Sequence, residues 1–341
     1  MTSRTNLLDL ESAASHDGLS EKSGMIENSE VALCCGRVDS SHSPHYTLSM
    51  LVLSKLELNY EYCKGKVFCM FTSIGFHNVK GGVAKTTTTL DVGYALGRQG
   101  KRVLLVDLDP QANLTYSATG VLSEKTANTL YEVLVPMDPQ PISKIIVQTR
   151  HPNVFIAPGS ITLSSADLEL AGRTGREWIL QRALEELAEF CQQRNAVIDY
   201  ILFDTPPNLG LLAVNALVAC GCIADYQNPK SGFIVTVSAD VYATIGIAHL
   251  KNTIAQLRRN LRIPIPLLGS VATLVDNTNE SARFLKDIQQ EFGDMMFQTL
   301  IPRNVKVKEA NNVRILFDYA PESQGSQAYL KLTEEIINRV S

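Results

Sequence analysis

The chain of 341 residues contains no uninterrupted apolar run of 18 residues, which excludes a membrane-spanning helix on length alone. It also lacks a basic N-terminal stretch followed by an apolar core, so no secretory leader is expected. Positive charge is not in surplus. Lys and Arg number 31 against 35 Asp and Glu, giving a net charge of −4 and a pI of about 5.9. A protein that binds nucleic acid through bulk charge is thereby excluded, and any such contact must come from a local patch. Cysteine is sparse: seven residues, odd in number and scattered, point to a reducing cytoplasm rather than a disulfide framework. Cys220-x-Cys222 could be read as a metal pair, but the spacing is not C-x-x-C and no His or Cys lies nearby; ordinary thiols are the better reading. Apolar content of 45% is enough for a sizeable core, in two domains or in one large α/β domain.

The first 65 residues differ from the rest. The first 43 hold nine serines with scattered charge and no sustained period, a composition that cannot offset ordering entropy. Tyr46 to Tyr62 is more apolar but does not read as a helix-turn-helix. Residues 1–65 are expected to be a disordered leader, or a segment upstream of a true start at Met70.

One stretch organises the rest of the chain: His77-Asn78-Val79-Lys80-Gly81-Gly82-Val83-Ala84-Lys85-Thr86-Thr87. It comes after an apolar run, Phe71 to Phe76, and opens an amphipathic segment, Thr88 to Arg98. Strand, glycine turn, Lys-Thr and helix is the order of a phosphate-binding loop, in which backbone N–H groups and the helix dipole face an anion. Gly81 through Thr87 form the cradle; Lys85 is placed to reach the β- and γ-phosphates, and Thr86 to set its hydroxyl on Mg²⁺. The strict pattern G-x-x-x-x-G-K-[ST] fails at both glycines, where Val79 and Ala84 stand. Alanine at 84 requires a negative φ, because a Cβ penalises the left-handed region.

Two apolar runs downstream end in carboxylates. Val103 to Val106 leads into Asp107 and Asp109, as expected of a parallel strand whose ligands gather beyond its carboxyl end. Taken alone, such carboxylates could instead cap the next helix. Tyr200 to Phe203 leads into Asp204-Thr205-Pro206-Pro207, where a P-loop ATPase places its Walker B acid; the alternative is a strand that merely stops at prolines.

K-G-G-V-A-K-T-T, the D-x-D-P-Q-x-N of Asp107–Asn113 and the D-T-P-P-N-L-G of Asp204–Gly210 resemble the motifs of the ParA/MinD family of ATPases. That family's loop is usually K-G-G-x-G-K-[ST], from which Ala84 departs. Ile301-Pro302-Arg303-Asn304, Glu309-Ala310 and Phe317–Pro321 follow the family's course, so the resemblance covers about Val67 to Ser341. It implies one α/β domain over 66–341, with a doubly wound, mostly parallel sheet and helices on both faces. By the same resemblance Lys80 crosses a dimer interface to the partner's nucleotide, Lys85 serves its own, and Asp109 positions the attacking water. Thr86, Asp107 and Asp204 serve Mg²⁺, while Pro302, Arg303 and Asn304 border the adenine and ribose.

The implied cofactors are ATP and Mg²⁺. The implied partners are a second copy joined with ATP, a ParB-like activator and non-specific DNA, in a weak ATPase that segregates plasmid or chromosome in the cytoplasm, on the nucleoid. A MinD-like switch on a membrane or protein assembly is the alternative. It wants a basic amphipathic tail, whereas this chain ends Glu334-Glu335-Ile336-Ile337-Asn338-Arg339-Val340-Ser341. A metal-cluster carrier of the same superfamily would want a cysteine pair at the dimer axis.

Elsewhere periodicity predicts helices over Thr129–Val135, Leu163–Leu170, Trp178–Cys191, Leu211–Ala219, Tyr242–Leu261, Ser281–Phe292 and Gln327–Val340. Strands are predicted at 233–237, Leu267–Val275 and Phe297–Ile301, with Cys220–Gly232 an inserted polar loop. DNA contact is expected along the helix that carries Lys251, Arg258 and Arg259 and at its exit, Arg262, with Arg283 and Lys286 adding to it. The alternative is a solvated helix end whose arginines favour the C-terminal dipole.

Overall fold

A parallel strand with helices on both faces buries nearly every side chain, and the apolar runs of this chain do so. The computed structural model describes residues 71–122, 128–223, 230–239, 243–310 and 314–341, so the expectations for residues 1–65 lie outside the described residues. The first half runs β1 (Thr72–His77), α1 (Lys85–Arg98), β2 (Val103–Asp107), α2 (Asn113–Thr119), α3 (Leu130–Leu134), β3 (Val147–Gln148) and β4 (Val154–Ala157). Then come α4 (Ala166–Glu169), α5 (Ile179–Gln193), β5 (Tyr200–Asp204), α6 (Leu211–Ile223), β6 (Gly232–Ser238) and α7 (Ala243–Leu261). The chain closes with β7 (Leu267–Thr273), α8 (Asn279–Phe292), α9 (Val305–Ala310), α10 (Leu316–Tyr319) and α11 (Gln324–Val340).

The seven strands form one sheet in the order β3-β4-β2-β5-β1-β6-β7, parallel except for β3 at its edge. That is the doubly wound sheet expected. On one face α1 and α11 share a core with Ile74, Phe76, Leu105, Leu202 and Ile234; on the other α6 packs against β1. Local chemistry fixes the helices. Thr129 and Glu132 close a capping box at the start of α3. Along α5, Ile179, Leu180, Ala183, Leu184, Leu187 and Ala188 are buried, a stripe of helical period.

Two expectations are corrected. Phe297–Ile301 is not a strand. Phe297 N and Ile301 N donate to Ser270 O and Ala272 O of β7, but Gln298 N and Thr299 N donate to the Glu335 carboxylate of α11 instead, both at 2.9 Å. A side chain has taken the N–H groups a ladder would need, and only isolated bridges remain. The Cys220–Gly232 loop is also shorter than read: α6 continues to Ile223, and Gly232 already opens β6. Gly221 belongs to packing rather than to a turn, since a Cβ there would overlap Pro264 O. Residues 224–229 lie outside the described residues.

The condition set for Ala84 is not met. It precedes α1 with φ 60° and ψ 29°, in the left-handed region, and Ala112 precedes α2 at φ 50°. For a residue with a Cβ this region costs about 1–2 kcal/mol relative to glycine, and glycine's larger loss of entropy on folding offsets part of that advantage. Ala84→Gly is therefore expected to stabilise the chain by about 0.5–1 kcal/mol. The measurement is a urea titration: the midpoint should rise at unchanged slope, and a lower midpoint would mean that the methyl packs favourably enough to outweigh the strain.

Candidate functional site

The phosphate-type loop is built where β1 ends. Asn78, buried, reaches across to β6 with Nδ2 donating to Thr236 O at 2.7 Å, while its Oδ1 accepts from Lys80 N at 3.0 Å. Val83 is buried, and its carbonyl accepts from Thr273 Oγ1 at 3.1 Å, tying the loop to the end of β7. Lys85 opens α1 and folds back so that Nζ donates to Lys80 O at 3.1 Å. Burial lowers its pKa, against the opposing pull of the Asp204 and Asp109 charges.

A cavity of about 540 Å³ opens over this loop. Of the residues singled out from sequence, it is lined by Gly81, Gly82, Ala84, Lys85, Thr86, Thr87, Asp109, Pro302, Arg303 and Asn304. Residues so distant in sequence converge because β1, β2 and β7 all deliver their carboxyl ends to one edge of the sheet. Val83 does not line the cavity and acts as the loop's anchor. Arg303 does line it, though its Nε is held by both oxygens of Asp276, at 3.1 and 3.0 Å. Asn113, the last residue of the Asp107–Asn113 motif, also lines it, as do Leu274, Lys308 and Tyr329, which sequence reading missed. Tyr329 comes from α11, with no motif to mark it, and its hydroxyl lies 3.5 Å from Thr88 Oγ1. Asn78 could have been noticed, since it stands directly before the loop.

The two strand-end carboxylates differ in role. Asp204 is fully buried, and neither oxygen has a hydrogen-bond partner. Burial, reinforced by the Asp107 charge, raises its pKa well above the usual carboxylate range; Thr86 and Lys85 oppose the rise. Asp107 was expected beside Mg²⁺, and here three of its acceptor positions are engaged within the protein. Oδ2 accepts from Thr115 N at 2.8 Å and Thr115 Oγ1 at 2.6 Å, and Oδ1 accepts from Asp109 N at 3.3 Å. The capping alternative is the one realised: Ala112 has no side-chain oxygen to offer, so the carboxylate from β2 caps α2. Burial pushes the Asp107 carboxyl up to about 7, with the Thr115 bonds opposing. Asp109 lies on the cavity side of this anchor, its Oδ1 accepting from Gln111 N at 2.9 Å.

Among the described residues no group of three or more His, Cys, Asp or Glu could hold a metal. An unpartnered carboxylate beside a threonine hydroxyl instead suits a hard cation that shares its ligands with phosphate, as Mg²⁺ does. The residues present therefore fit a nucleotide with Mg²⁺.

The four DNA candidates are not equally available. Lys251 pairs with Glu291 at 2.6 Å, and Arg258 donates to Ile265 O, closing the turn beyond α7. Arg259 is exposed at the end of α7, and Arg262, just past it, is exposed at φ 53°.

The unlike environments of the two carboxylates predict opposite effects on stability in metal-free buffer. Asp107→Ala removes three hydrogen bonds and should cost about 2–3 kcal/mol. Asp204→Leu, similar in shape, removes two unpartnered oxygens and should leave stability unchanged or raise it by about 1 kcal/mol. Urea titration of both variants decides it; equal losses would contradict the division.

The comparisons agree with this geometry. Residues 71–266 match the AAA domain family model. The sporulation initiation inhibitor protein Soj of Bacillus subtilis is 35% identical over 265 residues, 77% of this chain and 97% of Soj. The chromosome partitioning protein ParA of Caulobacter vibrioides is 36% identical over 264 residues, 77% of this chain and 92% of ParA. Among solved structures, a cobyrinic acid a,c-diamide synthase from Mycobacterium smegmatis, described with a bound ATP analog and magnesium, aligns with a TM-score of 0.65 at 31% identity, over 79% of this chain and 95% of that one. The septum site-determining protein MinD of Pyrococcus horikoshii, at 24% identity and a TM-score of 0.59 over 78% of this chain and 96% of that one, shares the fold. The chain belongs to the ParA/MinD family of P-loop ATPases.

Proposed function

We propose that the protein is a partition ATPase that joins a second copy around ATP, binds DNA without sequence preference in that state, and is released when a ParB-like partner stimulates hydrolysis. The observation that carries the chemistry is the meeting of Lys85, Thr86 and Asp109 in one cavity, with the unpartnered Asp204 behind them. The ATPase unit is taken to span 66–341, with residues 1–65 outside it.

ATP supplies the phosphoanhydride that is cleaved, and Mg²⁺ supplies charge that offsets the phosphates. Gly81 through Thr87 bind phosphate through backbone N–H groups, and Lys85 adds a cation at the start of α1. Thr86 and Asp204 would hold the metal, whose charge would offset the phosphates, while Asp107 caps α2. Asp109 orients the attacking water, and the protein's contribution is positioning rather than covalent chemistry. Lys80 reaches the nucleotide of the second copy. Pro302, Arg303 and Asn304 border the base and sugar. The membrane-switch alternative is disfavoured by α11 itself: Leu332, Ile336 and Val340 are buried in the core, and Glu335 holds Gln298 and Thr299.

Lys85→Ala should lower ATP affinity by roughly a hundredfold, whereas Lys80→Ala should keep most of it and stay monomeric with ATP. Asp109→Ala should form a stable ATP dimer but turn over about a hundredfold more slowly. Nucleotide titration, light scattering and phosphate release separate the three; normal dimerisation and turnover in Lys80→Ala would refute the reading.

DNA attraction should appear with ATP, fade with ADP and fall steeply with salt, because dimerisation doubles the phosphate contacts. Lys251 and Arg258 are already engaged, so Arg259 is the residue to change. Arg259→Glu should lower the salt slope by about one contact per protomer. Duplex binding across a salt series measures it. An unchanged slope would move the DNA surface elsewhere on the chain, and no ATP-dependent binding at low salt would favour a protein-only positioning role.

A further inference from the structure

His77 ends β1 and is fully buried, and it does not line the cavity. Phe76 pairs with Asp204 across the sheet, so the next level carries His77 and Thr205, facing away from the Asp204 side. His77 Nδ1 lies 2.7 Å from Thr205 Oγ1, and Thr205 Oγ1 donates to Phe76 O at 2.8 Å. A threonine hydroxyl has one proton. Since that proton goes to Phe76 O, Nδ1 must carry the hydrogen and donate to Oγ1. The tautomer is thus fixed by the network: Nδ1–H, with a bare Nε2. That Nε2 is buried and has no partner.

An apolar residue would fill this place without leaving a buried acceptor unmet. The imidazole is therefore explained by what Nδ1 does. Its link joins the two segments that flank the cavity. Thr205 leads directly into Pro206 and Pro207, and Pro207 lines the cavity, within 3.9 Å of the place a Gly81 Cβ would occupy. Asn78, next to His77, fastens the phosphate loop to β6. We infer that His77 is a positioning residue: acting through Thr205, it holds the 205–210 loop against the phosphate loop and governs turnover rather than nucleotide affinity. Burial, with the Lys85 charge, lowers the His77 pKa to about 3, so the ring is a fixed neutral donor and not a proton shuttle.

The role rests on the ATPase reading, whereas the tautomer and the His77–Thr205 link do not. The experiment uses the full chain. Nitrogen-15 labelling of its six histidines should reveal one ring that stays in the Nδ1–H form from pH 5 to 8; an Nε2–H or titrating ring at His77, assigned by comparison with His77→Asn, overturns the link. ATP turnover and ATP affinity are then measured for His77→Ala, Thr205→Val, their combination, and His77→Asn, whose Nδ2 can replace the Nδ1 donor. Each single variant should lose about tenfold in kcat with affinity changed by less than about twofold, and the combination should be no worse than either. His77→Asn should recover most of the loss. Unchanged kcat in folded His77→Ala, additive losses, or no recovery in folded His77→Asn overturns the role. If His77→Ala does not fold, His77→Asn and Thr205→Val decide it: retained turnover in the first with loss in the second supports the inference, and any other pattern overturns it. Wild-type protein without ATP turnover would overturn the ATPase reading and this role together, with the tautomer still deciding the link.

Discussion

Three strand ends stand level in this sheet, and the site depends on that register. Phe76 pairs with Asp204, and Asp204 with Asp107. A slip of one residue would turn Asp204 to the other face and bring Phe203 to the loop. What opposes it is the packing behind the carboxylate, where Ile201, Leu202 and Phe203 are fully buried and a slip would put each on the other face, into space shaped for a different side chain. Burying one such side chain is worth about 1.5–3 kcal/mol, and leaving a polar group buried without partners costs about 1–3 kcal/mol. One or two core residues therefore offset Asp204. An acid that would be unfavourable on its own is held in place by the strand that carries it.

The neighbouring acid shows how a similar beginning leads elsewhere. Asp107 also ends an apolar strand, but the chain beyond it turns at once into α2, whose preceding residue cannot cap it. The carboxylate supplies the cap, and Thr115 Oγ1, while donating to Asp107, accepts from Gly159 N at 2.9 Å. The loop carrying Asp109 is thereby pinned at both ends, to β2 and to the first turn of α2. Asp109 is left as the acid of this loop that lines the cavity. The two strands thus hold their terminal acids in different ways, one by hydrogen bonds and one by burial alone.

The phosphate loop was legible because it is local: strand, turn and helix lie within 30 residues, and backbone chemistry demands glycine and lysine at fixed offsets. The sheet was legible because runs such as Val103–Val106 and Tyr200–Phe203 are apolar on both faces. That Asp107 in particular caps α2 was not, since it and Asp204 both read as an acid after an apolar strand, and only the return of Thr115 separates them. Phe297–Ile301 misled because its composition suits a strand, while Glu335, 36 residues beyond Thr299, took two of its N–H groups. Tyr329 was invisible for a like reason: α11 crosses α1 only in the folded chain. Contacts set by tertiary packing leave little trace in spacing.

Backbone strain follows the same map. Of the five described non-glycine residues with positive φ, Ala84 and Leu274 both line the cavity, and Ala112 precedes the helix that Asp107 caps. Residues in that region persist where their surroundings over-determine them, and here the restraint can be named. Val83 O accepts from Thr273 Oγ1, so the residues just before Ala84 and Leu274 are joined to each other. One hydrogen bond between the phosphate loop and the end of β7 thus links the two strained positions. Relaxing either alanine or leucine toward negative φ would pull on that bond, and through β7 on the packing of α8. The unusual alanine of the loop thus sits beside a residue fastened to a strand end far along the chain.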